Sequence, residues 1–490
     1  KVKLEVWEKD FPAGWVGLGV NAVDSSGTHY LALVKNRSGS EDPFITDLYP
    51  GQLRTARLEP NVKMHADRDD KLEVVPEELR GRTLIQTLNS RRSDAKLRNI
   101  FTFTKHPSSE TPDQVVLTWS HDPRTTQTIQ WRTNRRVTRG AIRYYKKPSA
   151  PDAGKPRPEV MEVSAETERL ESKFLLNDPI IHRHTGLLLG LEPDTTYYYW
   201  VGDPASKRWS QRGEFTTAPD KVKPFSFIYM GDAQNGLDTW GKLVRGAHYR
   251  QPNAAFYIMA GDLVDRGNER DDWDSLFANA KGVYDHRQLV PVIGNHECQG
   301  GHPTLYLKLF GLMQNGPANV ERERAYAFEY SNALFVVLDS NLDPVTQTAW
   351  LEEQLARSKA KWKFVTYHHP AYSSLPKRDN VKLRELWTPL FDKYHVDMAL
   401  QGHDHAYLRT YPMKGQKQVG SPAEGTVYIV SVSGTKLYEQ DKRDYTEFGM
   451  TNVATYQVLD IQIEGDRLIY RAYDTDGKLR DELIIDKSGR

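Results

Sequence analysis

Five short segments constrain this chain more than anything else in it. They read Gly231-Asp232-Ala233-Gln234, Gly261-Asp262-Leu263-Val264-Asp265, Gly294-Asn295-His296-Glu297, His368-His369-Pro370 and Gly402-His403-Asp404-His405. Four follow an apolar run of strand type, Phe225 to Met230, Ala254 to Ala260, Leu289 to Ile293 and Phe364 to Tyr367. The fifth follows the shorter Met398-Ala399-Leu400. Strands that release polar residues at their C-terminal ends build the sites of α/β sheets. The residue types released here, two carboxylates, an amide and three imidazoles, are metal ligands. A nitrogen and oxygen set without thiolate suits divalent ions such as Zn, Mn, Fe, Co or Ni rather than a structural Cys zinc site, and no organic cofactor is expected.

At 490 residues the chain exceeds one core, so several domains are expected. A net charge of +1 gives no global attraction to nucleic acid or to an anionic membrane surface. An apolar fraction of 38% is too high for a disordered chain. No apolar run approaches the ~18 residues of a membrane helix. Cys298 is the single cysteine, so no intrachain disulfide forms.

Residues 1–105 look β-rich, with strand-like runs at Leu4–Trp7, Trp15–Val20 and Tyr30–Val34 and a charged loop from His65 to Lys71. No motif there carries chemistry. Residues 106–219 form a second β unit, in which Gln114–Trp119 and Thr128–Trp131 alternate. The proline-rich stretch Lys147 to Pro158 reads as a surface loop. Ala218-Pro219-Asp220 marks a boundary, and in residues 220–490 strands alternate with helices. Asp238–Tyr249, Thr346–Ser358 and Val381–Tyr394 have helical character, the last with Pro389 implying a kink or a late start. Hairpins are expected at Ser331-Asn332 and Gly465-Asp466, with a further strand after Asp476-Gly477. The fold class is therefore multidomain: all-β at the N-terminus, then an α/β domain of two packed mixed sheets flanked by helices.

The order Asp, Asp, Asn-His, His, His-x-His resembles the calcineurin-like metallophosphoesterase superfamily. The stretch Gly190-Leu191-Glu192-Pro193-Asp194-Thr195-Thr196-Tyr197 resembles the later strands of a fibronectin type III sandwich. With His182 and His184 upstream, it looks like the N-terminal sandwich of purple acid phosphatases, and the chain leans to that branch. The two histidines themselves read as structural or interface residues, because no carboxylate or cysteine cluster adjoins them.

The resemblance implies hydrolysis of a phosphate mono- or diester, a small molecule such as a nucleotide, at a dinuclear centre. One metal would take Asp232, His405 and bridging Asp262. The other would take Asp262, Asn295, His368 and His403. A hydroxide held between ions about 3.5–4 Å apart would attack phosphorus, since metals bring the pKa of water toward ~7. His296 would be the general acid, and Asp265 would accept a hydrogen bond from it. That branch, and Lys1 rather than Met at the start, carry an expectation of an extracellular or periplasmic location.

Two positions depart from the pattern. Gln234 stands where many relatives have a histidine ligand, and offers a neutral amide oxygen or a hydrogen bond. Asp265 stands where purple acid phosphatases carry the tyrosinate that gives their colour, so a colourless protein is expected. Asn235, Arg266, His369, Tyr372, Tyr407 and Arg409 are candidate substrate contacts, the two arginines as a clamp for a monoester. Asp265-Arg266-Gly267 also resembles the matching stretch of protein Ser/Thr phosphatases. The rival reading is a weak or inactive scaffold that serves binding or adhesion through its β domains.

Overall fold

The computed structural model describes residues 104–148, 158–172, 175, 177–299, 301–462 and 466–488, with the backbone of four strands in the first hundred residues. The chain divides into two compact units, 1–107 with 170–180, and 108–169 with 181–490.

In the first unit the strands Val2–Trp7, Trp15–Ala22, Tyr30–Lys35 and Lys71–Leu72 form one antiparallel sheet, with Val2–Trp7 between the second and the fourth. All three expected strand runs lie in it. The expected loop from His65 lies outside the described residues up to Asp70, as does 149–157 in the proline-rich stretch.

The second unit begins with eight strands between Asp113 and Thr216. Their inward residues, among them Leu117, Ile129, Trp131, Ile142, Tyr199, Val201 and Phe215, share one core. The Tyr197 hydroxyl accepts the Glu192 N–H at 2.9 Å, closing the turn before its strand. This is the tyrosine corner of sandwich folds, and it explains the spacing of Glu192 and Tyr197 in the sequence. His184 is buried against Trp131, its ring nitrogens 2.7 Å from Thr133 Oγ1 and 2.8 Å from Thr167 Oγ1. His182 donates from Nδ1 to the Val137 carbonyl at 2.7 Å. Both are structural, as expected.

This β region is fastened to the α/β region by buried polar contacts. Arg132 pairs with Asp274 at 2.7 Å, with both side chains 1% exposed. Gln288 Nε2 donates to Gln127 Oε1 at 2.7 Å, and Tyr199 donates to the Asp285 carbonyl at 2.7 Å.

The α/β region has two mixed sheets. One runs Gln288–Pro291, Phe256–Met259, Phe225–Met230, Thr455–Gln462, Arg467–Asp474, Leu479–Asp486. Its first three strands are parallel and the C-terminal ones antiparallel. The other runs Tyr326–Tyr330, Ala333–Val337, Trp362–Thr366, Met398–Gln401, Val427–Val430, Tyr407–Thr410, Thr446–Met450. Four of its strands, from Ala333–Val337 to Val427–Val430, are parallel. Aromatic residues seal the sheets together. Phe227 meets Phe335 and Phe364 edge to face at 5.1 and 5.3 Å, and Phe256 meets Phe335 at 5.2 Å. Such pairs add about 0.5–1.5 kcal/mol each beyond area burial.

Helices Val345–Arg357 and Val381–Tyr394 cover the second sheet through Leu351, Leu355, Leu383, Trp387 and Phe391. The latter starts at Val381 and keeps Pro389 inside, which excludes the late start of the two expected alternatives. Pro389 lies on the exposed face of the helix. Among the described residues no helix is long and apolar enough to cross a membrane.

Candidate metal centre

The two sheets aim their parallel strands at one place. Phe225–Met230, Phe256–Met259 and Gln288–Pro291 release Asp232, Asp262 and Asn295 from the first sheet. Trp362–Thr366 and Met398–Gln401 release His368 and His403 from the second. Asp232, Asp262 and His403 leave their strands with φ of 43°, 51° and 72°. That left-handed backbone is costly for residues with a Cβ, and it marks functional sites. The glycines before the ligands make room for ligands of neighbouring strands. A Cβ on Gly402 would stand 2.4 Å from Asp232 Oδ2, and one on Gly294 would stand 2.2 Å from Asp262 Oδ1.

The ligand atoms form two groups. Oxygens of Asp232 and Asp262 and a nitrogen of His405 lie within 4.8 Å of one another. His405 Nε2 is 3.6 Å from Asp232 Oδ1. In the second group His368 Nε2 lies 3.2 Å from Asp262 Oδ2, 3.1 Å from Asn295 Oδ1 and 3.2 Å from His403 Nδ1. Asn295 Oδ1 is also 2.9 Å from His403 Nδ1. Asp262 faces both groups.

The tautomers are set from behind. His368 Nδ1 donates to the Ala260 carbonyl at 2.9 Å, and His405 Nδ1 donates to the Lys436 carbonyl at 2.7 Å. Each ring therefore turns its Nε2 inward, as metal-binding histidines do. Burial holds the His405 imidazole down to about 4, and drives His403 far below its ordinary value with His368 and His369 adding to it. Burial also opposes a charge on His368, but the carboxylates of Asp262 and Asp232 outweigh it and raise the ring to about 10. Burial raises Asp232 well above the carboxylate range, whereas His368 holds Asp262 well below it against burial.

The donor set fits metal ions. Asp232 Oδ1 and Gln234 Oε1 are buried without a hydrogen-bond partner. Unpaired buried carboxylate and amide oxygens are costly unless something cationic meets them. Inward nitrogens and oxygens crowded within about 3 Å raise the same demand, which bound cations would meet. Gln234 Nε2 is 3.4 Å from His405 Nε2, so this amide belongs to the first group either as an oxygen ligand or as a neighbour of one.

His296 stands over the site with Nε2 3.9 Å from Asp262 Oδ2. Its Nδ1 donates to the Asp265 backbone carbonyl at 2.5 Å, while the Asp265 carboxylate is farther, at 3.3 Å. Asp265 thus accepts from His296 as expected, chiefly through its main-chain carbonyl. That carboxylate accepts from Asn235 Nδ2 at 3.3 Å, which places Asn235 at the rim beside His296.

Four of the other candidate contacts are committed elsewhere. The Tyr407 hydroxyl is buried, 2.8 Å from Tyr470 and 2.7 Å from Asp481. Arg409 is buried against Asp481 and Glu447. Tyr372 is 3% exposed and packs on Tyr428 and Tyr445. Arg266 is neutralised by Asp271 and Asp272 at 2.7 and 2.5 Å. None of these is a free group at the site, and the proposed arginine clamp is dismantled. His369 does reach it, with its ring 4.4 Å from His403 and Nδ1 2.8 Å from Ser340 Oγ.

Some supporting residues were not identified from the sequence. The Glu297 carboxylate accepts N–H groups of Asp262, Leu263 and Gly294, each at 2.8 Å, and so pins the bridging loop. Asp404 accepts from Ser374 and from Arg378, whose Nη2 also holds the His403 carbonyl at 2.6 Å. Cys298 lies 3.9 Å from Arg324, and burial pushes its thiol up to about 12, which rules out a resting thiolate nucleophile.

Two packed mixed sheets that deliver mixed carboxylate, amide and imidazole ligands from their parallel strand ends define a metal-dependent phosphoesterase fold. The family profile for calcineurin-like phosphoesterases matches residues 225–407, and that for the purple acid phosphatase N-terminal domain matches residues 112–217. An uncharacterised protein of Mycobacterium tuberculosis is 26% identical over 48% of this chain and 51% of its own. The Fe(3+)-Zn(2+) purple acid phosphatase 12 of Arabidopsis thaliana is 28% identical over 46% of this chain and 52% of its own. The chain thus spans about half the length of these curated relatives. The purple acid phosphatase PPD1 of yellow lupin shares the fold, with a TM-score of 0.66 and 17% identity over 96% of this chain and 93% of that one. The chain is thus similar to calcineurin-like phosphoesterases over residues 225–407 and to the purple acid phosphatase N-terminal domain over residues 112–217.

Proposed function

We propose that this chain is a phosphoric ester hydrolase working with two metal ions. Asp232, Asp262 and His405, with Gln234 beside them, hold one ion. Asp262, Asn295, His368 and His403 hold the other. The observation that carries this reading is that Asp262, grouped with Asp232 and His405, also stands 3.2 Å from His368 Nε2 of the other group, with buried oxygens of Asp232 and Gln234 left unpaired. When bound, the ions supply an activated water and neutralise charge developing on the phosphoryl oxygens.

The chain's own residues do the rest. Asp262, its loop fixed by Glu297, sets the spacing of the ligand groups. His296 has its Nδ1 proton committed to the Asp265 carbonyl. A proton on Nε2 is therefore the one that passes to the leaving oxygen. Asn235 holds the Asp265 carboxylate in place. The substrate is a small phosphate ester.

His296→Ala tests the assignment. With metal content unchanged, turnover of an ester with a poor leaving group falls by about a hundredfold or more. A chromogenic ester, whose leaving group needs less protonation, loses less. Equal losses on both would remove His296 from the acid role. Tight metal binding with no hydrolysis of any ester would favour the scaffold reading instead.

A further inference from the structure

With Arg266 and Arg409 engaged by carboxylates, the site needs another cation if it is to read substrate charge. The second sheet has a further parallel strand, Val427–Val430, beside Met398–Gln401. Its C-terminal end feeds a loop that runs against two of the ligand segments. Ser433 and Gly434 donate N–H bonds to the carbonyls of Gly231 and Asp232 at 2.8 Å, and Thr435 to that of Asn235 at 2.9 Å. The Lys436 carbonyl takes the His405 Nδ1 proton, and Tyr438 N–H donates to the His405 carbonyl at 2.7 Å. Lys436 is thus fixed at both sides by backbone bonds to ligand-bearing segments.

Its side chain is gathered to the same place. The Tyr438 ring lies on the His405 ring, with centroids 4.6 Å apart and planes 30° apart. The Lys436 ammonium stands 5.6 Å from the centroid of that tyrosine, and the Arg378 guanidinium stands 5.6 Å from it as well. Arg378 is bound to Asp404 and to the His403 carbonyl. Lys436 is partly exposed, and among the described residues no carboxylate pairs with it. A partly buried ammonium without a carboxylate partner, near enough to His405 to act on its charge, is placed to meet an anion.

We propose that Lys436, positioned by Tyr438, is a specificity-determining residue that favours phosphate monoesters over diesters. A monoester carries a second negative charge on its free oxygens, and a diester does not. The ammonium acts on that difference, so it discriminates between substrates rather than merely assisting hydrolysis. The inference rests on the phosphoesterase reading above.

The test compares the metal-loaded full chain with Lys436→Met and Lys436→Arg on para-nitrophenyl phosphate and bis(para-nitrophenyl) phosphate. Inorganic phosphate binding is measured by calorimetry. In Lys436→Met the monoester-to-diester ratio of kcat/KM falls by about tenfold to a hundredfold, as loss of a charge-assisted hydrogen bond implies. Phosphate binding weakens with it, metal content is unchanged, and Lys436→Arg restores most of the ratio. An unchanged ratio overturns the proposal, as does an equal loss on both esters. Wild-type protein that holds its metals yet turns over neither ester overturns the phosphoesterase reading, and this inference with it.

Discussion

Glu297 exposes the logic of the site through a change of one atom. Its Oε2 accepts N–H bonds from Asp262 and Gly294, and its Oε1 accepts from Leu263 at 2.8 Å and from Val264 at 3.4 Å. The side chain is fully buried. Glu297→Gln keeps the shape but replaces one acceptor oxygen with an NH2 group that faces N–H donors. Whichever way the amide turns, at least one and as many as two buried N–H groups lose their acceptor. At about 1–3 kcal/mol per unsatisfied group, the loss is about 1–6 kcal/mol, with no cavity to add to it. For a domain of this size that lowers Tm by at least about 2 °C. Because the freed amides belong to the loop that carries Asp262, metal affinity drops as well. Thermal melts of the metal-free protein and Mn2+ titration of wild type and variant check both parts. Unchanged Tm together with unchanged affinity would refute the claim that Glu297 holds the bridging loop.

Three further outcomes are expected. Gly402→Ala drives a methyl group against Asp232 Oδ2, so the variant folds but binds metal weakly, read by elemental analysis after gel filtration. Burial lowers His184 to about 4, with His182 and Arg183 adding to it. A base kept neutral by the fold contributes its full stability above pH 6.5 and loses it as the pH falls from 6.5 to about 4. That amounts to about 3 kcal/mol, and denaturant melts of His184→Gln across this window show a correspondingly shallower pH dependence. The iron-loaded protein is colourless, because Asp265 stands where the tyrosinate would bind; a visible band removed by Tyr438→Phe would contradict this.

The ligand segments are legible in sequence because each strand stops at its ligands. The apolar run ends, a glycine or a second polar residue follows, and little else explains a buried carboxylate or histidine there. The helices at 237–250, 345–357 and 381–394 are legible for a similarly local reason, their apolar spacing. The errors at Tyr407 and Arg409 have a different origin. Both follow the His-x-His segment closely, but Tyr407–Thr410 is a strand buried throughout, and the carboxylate that satisfies Arg409 is 72 residues away. Arg266 misleads because Asp271 and Asp272 fold back on it from the next helix. Lys436 has no motif at all. Its place is set by the pairing of Val427–Val430 with Met398–Gln401, a tertiary fact with no local signature.

The central claim is that two ions, shared through Asp262, make this chain an ester hydrolase. The most direct measurement is stepwise addition of Mn2+ or Zn2+ to metal-free protein, with bound metal and para-nitrophenyl phosphate hydrolysis read on the same samples. The account predicts activity that saturates at two equivalents per chain, and loss of both binding and turnover in Asp262→Ala. Saturation at one equivalent, or two ions bound in silence toward mono- and diesters alike, would contradict it.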